Sequence, residues 1–100
     1  MASLTIVYWR DIPAQVIAKR GREAAKVQLS ERFETAIDRA AMRAGLTGTD
    51  AYLGEWRRGE AAECGEDLKA EVDKAALGLE AEFTEERLGQ LVRAGGRAEA

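Results

Sequence analysis

The apolar positions change their period along the chain, and each change marks an element. Leu4-Thr5-Ile6-Val7-Tyr8-Trp9 is dense in β-branched and aromatic residues, which fit a pleated, half-buried surface, and the run ends at a charged pair before the only proline. It predicts a strand over residues 3–10. Arg10-Asp11-Ile12-Pro13 reads as a turn, because proline fixes its own φ and pushes Ile12 toward extended backbone. Gln15-Val16-Ile17-Ala18-Lys19 predicts a second strand, antiparallel to the first and fading at Gly21. Arg22–Leu29 fits two patterns: Val27 and Leu29 alternate as in a strand, whereas Glu23-Ala24-Ala25-Lys26 suits a helix. It reads as an extended connection.

Helical spacing begins after Ser30, whose oxygen is suited to a cap. Phe33, Ile37, Ala40, Ala41 and Ala44 then share one face up to Gly45, a natural left-handed terminator, so residues 31–44 are expected to be a helix. Leu46 falls where such an end places an apolar contact back onto the last turn. Thr47-Gly48-Thr49-Asp50 reads as a loop. In Ala51–Arg58, Tyr52, Leu53 and Trp56 fit one helical face, yet Tyr52, Gly54 and Trp56 also alternate. A two-stranded hairpin alone is marginal in water, which favours a third strand here.

Gly59–Gly65 is an acidic, glycine-bounded loop. Beyond it Leu68, Val72, Ala75, Ala76, Leu79 and Phe83 recur at three and four residues and predict a helix over 66–82. Burial of its larger side chains contributes about 1.5–3 kcal/mol each before entropy is counted, so this stripe is expected to close over the sheet. Thr84 caps a last helix with Glu85 and Glu86 in its first turn, Leu88, Leu91 and Val92 on its buried edge, and Gly95-Gly96 as its stop. The sum is an α+β fold: a small antiparallel sheet, made of an N-terminal hairpin plus a third strand, covered by two or three helices. Residues 1–96 are expected to form one domain and residues 97–100 a frayed tail.

Composition narrows the class. With 100 residues, 46% of them hydrophobic and 33% charged, the chain has room for one core and should fold. Ile6-Val7-Tyr8-Trp9 is too short an apolar run for a bilayer span or an export signal, and Cys64 is the only cysteine, so a reducing cytoplasmic setting is expected. The net charge of −3 divides unevenly: residues 1–58 carry ten basic and seven acidic side chains, residues 59–100 five and eleven. An acidic total argues against nucleic acid or an anionic membrane as partner, although a local basic face remains open.

Candidate chemistry is sparse. Without histidine the commonest general base and transition-metal ligand are missing, and one cysteine cannot build a zinc site. Gly45-Leu46-Thr47-Gly48 lacks the lysine of a phosphate loop. Cys64 precedes a helix, which favours a thiolate, but Glu63, Glu66 and Asp67 oppose it. An enzyme reading would therefore rest on Asp11, Arg10 and Cys64. The most unusual stretch is the bend Tyr8-Trp9-Arg10-Asp11, with Trp56-Arg57-Arg58 repeating its chemistry; Trp, Tyr and Arg are the residues interfaces favour as anchors. Strand alternation sends Tyr8 and Trp9 to opposite faces, so one is expected outside beside Arg10, and the bland alternative is a stapled hairpin with Arg10 and Asp11 paired. Lys19-Arg20-Gly21-Arg22 adds a basic turn that, with Arg57 and Arg58, supports nucleic-acid binding as an alternative.

The run Leu4 to Val16, with Arg32-Phe33, Ala36-Ile37-Asp38, Asp50-Ala51-Tyr52-Leu53 and Trp56-Arg57, resembles the small bacterial domain termed virulence factor, which is similar to the C-terminal segment of the staphylococcal conserved virulence factor C. The likeness spans roughly residues 3–92. The name comes from a pathogen phenotype and implies no chemistry, no catalytic residue and no cofactor. Stand-alone members resemble proteins of free-living alphaproteobacteria, and the resemblance implies company with cobalamin-dependent methyl transfer and one-carbon metabolism. A non-catalytic accessory protein, bound to a corrinoid or folate methyltransferase component through Tyr8, Trp9, Arg10, Asp11, Trp56, Arg57 and Arg58, is the expectation that follows.

Overall fold

The computed structural model describes residues 1–46, 48 and 50–98. Its N-terminal run folds as β1 (Ser3–Trp9) and β2 (Ile12–Arg20), joined by the two-residue turn Arg10-Asp11. Leu4 lies opposite Ala18 and Ile6 opposite Val16, and all four pack on the core. The register shifts between Val7 and Tyr8, and this irregularity breaks the alternation. Trp9, and not Tyr8, is therefore the next inward residue after Ile6.

The ambiguous stretch after Gly21 is a full strand, β3 (Glu23–Gln28), antiparallel to β2 with Ala25 opposite Ala18 and Val27 opposite Val16. Two inward residues are too few to declare a period, but the open edge of β2 supplies the backbone partners that decide the matter. Residues 51–58 serve both competing periods in turn: α2 (Asp50–Gly54) is a short helix, and β4 (Trp56–Arg58) then pairs with the free edge of β1. β5 (Ala62–Glu63) joins β1 nearer its start. The sheet is antiparallel, in the order β3-β2-β1-β4 with β5 beside β4 on β1, and the fold is α+β.

α1 (Glu31–Arg43), α3 (Leu68–Glu82) and α4 (Glu85–Arg93) close the core. α3 crosses β2 and β3, while α1 packs on β2 and on α4. Asp67 starts α3 by accepting from the Ala70 amide at 3.2 Å, which places the start at Leu68, two residues after the expected 66, and Thr84 caps α4 through the Arg87 amide. Ser30 does not cap α1. Its hydroxyl and amide instead donate to the Glu80 carboxylate of α3, at 2.8 and 2.7 Å.

Arg32 donates to the Phe83 and Glu80 carbonyls and to the same carboxylate, tying the start of α1 to the end of α3. The core is filled by Trp9, Ile12 and Val16 from the sheet, Phe33 and Ile37 from α1, and Val72 from α3. Among the described residues, no helix is long and apolar enough to cross a membrane. The Thr47 and Thr49 parts of the expected loop, and Glu99 and Ala100 of the expected tail, lie outside the described residues.

Candidate functional site

The bend expected to be a contact surface is built first of all into the molecule. Trp9 is fully buried: its indole N–H donates to the Tyr52 carbonyl at 3.0 Å, and its ring meets that of Tyr52 at 5.6 Å. This corrects the inclusion of Trp9 in a docking surface, and the shifted register is the reason. Arg10 adopts φ 52°, the left-handed backbone that a two-residue hairpin loop demands. The expected pairing of Arg10 with Asp11 does not form, because two outside acceptors compete successfully for the guanidinium. Arg10 donates to the Gly95 carbonyl at 2.9 Å and to the Glu55 carboxylate at 3.1 Å.

Asp11 turns the other way. Its carboxylate accepts from the Ala98 amide at 2.6 Å and from Arg57 at 3.2 Å, while its own amide donates to the Gly96 carbonyl at 2.8 Å. Arg57 also donates to the Arg10 carbonyl, and Arg97 reaches Glu55 at 3.3 Å. Arg97 and Ala98, expected to fray, are thus held at the hairpin. The bend is a junction of β1, β2, β4 and the chain following α4. No local pattern announces Glu55 as its shared acceptor, since its partners lie more than forty residues away.

What remains at the surface is the outer edge of that junction. Tyr8 is half-buried, with the Arg57 guanidinium 4.5 Å above its ring. Trp56 is 37% exposed and meets Tyr52 edge-on at 6.3 Å, and Leu53 is 64% exposed. Arg58 is exposed and makes no ion pair among the described residues. The structure therefore brings Tyr8, Trp56, Arg57 and Arg58 to the end of the sheet where β4 is the edge strand, with Tyr8 opposite Arg57 on one face and Trp56 opposite Trp9 on the other. Leu53 joins them from α2, and its place one helical turn before Trp56 was the signal for it.

The other candidates stand apart. Arg20 of the basic turn pairs with Glu23 at 3.1 Å and with Glu66 at 3.4 Å, so its charge is already compensated. Cys64 lies beyond β5, where burial first, and then the Glu71 and Glu66 carboxylates, push its thiol pKa up. A raised pKa suppresses the thiolate that a nucleophile needs. Among the described residues, no group of three or more Cys, Asp or Glu side chains is arranged to hold a metal ion.

No curated protein matches the chain, and no solved structure does. The sequence profile of the virulence factor family matches residues 7–92, from the second half of β1 to the last turn of α4. That span takes in the hairpin bend, Glu55, β4 and the helices that carry the core, and the chain belongs to the virulence factor family.

Proposed function

We propose that the protein is a non-catalytic accessory domain that binds another bacterial protein through the β4 edge, using Trp56, Leu53, Arg58 and the Tyr8–Arg57 pair. The supporting observation is an exposed indole and an exposed leucine beside an arginine without an ion-pair partner, on a frame held rigid from behind. Side chains pre-set on a fixed support lose little freedom on association, and Trp, Tyr and Arg carry most of the energy at interfaces. The compensated charge of Arg20 takes weight from the nucleic-acid alternative, which counted on that turn. The family resemblance points to a partner within cobalamin- or folate-dependent methyl transfer and methionine synthesis.

The test is to place a photo-crosslinking phenylalanine analogue at position 56 in cells and, as control, at exposed Leu77 on α3. One discrete adduct at 56 and none at 77 is expected. Equal adducts at both positions, or none at 56, would refute the docking reading. Growth of a deletion strain without methionine at the wild-type rate would remove the methyl-transfer extension and leave the docking reading intact.

A further inference from the structure

We infer that the trough beside Trp56 takes a partner segment presenting one apolar side chain flanked by lysine or arginine; this deepens the docking reading above and rests on it. Glu34, Asp38 and Met42 stand four residues apart on α1 and so form one stripe along that helix. Between this stripe and the α2–β4 segment lie two hollows. One, of about 250 Å³, is lined by Leu29, Ile37 and Trp56 with Glu34, Asp38 and Tyr52. The other, of about 380 Å³, is lined by Ala41 and Met42 with Asp38 and Tyr52 again. Asp38 and Tyr52 line both, so the two hollows adjoin as a trough, apolar at its base and acidic on its α1 side. Its smaller part lies below the ~300–1,000 Å³ usual for a small-molecule site and suits a single side chain.

Charge selects the occupant. Glu34 and Asp38 have no hydrogen-bond or ion-pair partner among the described residues. The nearby cations of α1 point elsewhere: Arg32 is bound to the end of α3, Arg43 donates to the Arg93 carbonyl, and Arg39 lines the separate groove between α1 and α4. The field of the two carboxylates reaches the trough itself. Burial first, then Asp38 and Glu34, raise the Tyr52 hydroxyl pKa, against a side-chain hydrogen bond with Trp56 that lowers it. Met42, at 62% exposed, leaves apolar surface open at the far end. Arg58, on the β4 side of Trp56, lines neither hollow, so along the α1 side an acidic segment or a phosphate would meet repulsion, whereas a cation beside an apolar anchor meets complementary charge.

The probes are two capped peptides, Gly-Lys-Phe-Lys-Gly and Gly-Glu-Phe-Glu-Gly, titrated into the isotope-labelled full chain and followed by NMR. The lysine peptide should shift the Asp38 and Tyr52 amides and the Trp56 indole and saturate; the glutamate peptide should not. Paired Glu34→Gln and Asp38→Asn replacement should weaken the lysine peptide about fivefold at low salt and much less at high salt, as expected for exposed charges. Equal response to both peptides, shifts confined to the α1–α4 groove, or no loss in the double variant would overturn the inference. If the double variant still gives the wild-type crosslink at position 56, the charge selection fails and the docking reading survives; absence of any crosslink in the wild type removes the reading beneath it.

Discussion

Replacing Gly96 by alanine should be among the most damaging single-methyl additions to this chain. Gly96 sits at φ +94°, where an L side chain is strained, and a Cβ built there would fall 2.7 Å from one carbon of the Trp9 ring and 3.1 Å from another. The ring cannot retreat, because it is fully buried and its N–H is fixed to the Tyr52 carbonyl. Left-handed strain costs about 1–2 kcal/mol and forced overpacking about 1–3 kcal/mol, so the loss should be about 2–5 kcal/mol. Gly45, at φ +73° with nothing within 4 Å of its built Cβ, is the control that isolates the first contribution. Gly45→Ala should cost only about 1–2 kcal/mol. Urea unfolding followed by far-ultraviolet dichroism measures both; at about 1.5 kcal/mol per molar, a loss of 3 kcal/mol moves the midpoint by about 2 M. Equal destabilisation of the two variants would refute the steric argument, and with it the packing of the chain after α4 against the hairpin.

Three further outcomes are expected. Glu80→Gln should cost about 1–2 kcal/mol, because the Glu80 carboxylate serves the Ser30 amide, the Ser30 hydroxyl and Arg32 together. Burial opposes ionisation of Glu80, but the bonds from Ser30 and Arg32 prevail and hold its pKa below the ordinary 4.5. Its contribution is therefore complete above that value and is lost as pH falls through the lowered one, so the acid limb of the stability curve should flatten in Glu80→Gln; an unchanged limb counts against this link. Cys64 should alkylate more slowly at pH 7.5 than a free cysteine and gain speed as pH rises beyond 9, and a faster reaction than the free thiol would contradict the acidic setting. Acrylamide should quench about half of the tryptophan emission of the wild type and little of it in Trp56→Phe, since Trp9 is sealed and Trp56 is not; strong quenching in that variant would place Trp9 at the surface.

Much of the fold was legible because its signals are local. The stripes of α1, α3 and α4, the Thr84 cap and the β-branched opening of β1 need only neighbours along the chain to be recognised. β3 was not, since Ala25 and Val27 gain their role from the edge of β2, and the third strand expected within 51–58 forms only over its last three residues, as β4 on the edge of β1. The bend shows the same divide. That Tyr8 and Trp9 should face apart follows from alternation, but which of them is buried depends on a register shift against β2. Pairing Arg10 with Asp11 was the local solution, and Glu55, Gly95 and Ala98 offered better ones from a distance.

The clasp that brings residues 95–98 onto the β1–β2 bend also dictates an order of events during synthesis. The hairpin and β3 emerge early and are near neighbours in sequence, so they can begin pairing while the rest is still being made. The bonds from the Gly95 and Gly96 carbonyls and the Ala98 amide close a loop of more than eighty residues, and nothing synthesised sooner supplies them. Until the ribosome has delivered residues 95–98, Trp9 lacks the cover of Gly96, and Arg10 has Glu55 but not the Gly95 carbonyl as acceptor. The nascent chain thus keeps the Trp9 ring incompletely covered until residues 95–98 have emerged, and their docking on the bend completes this corner of the core after the hairpin has paired.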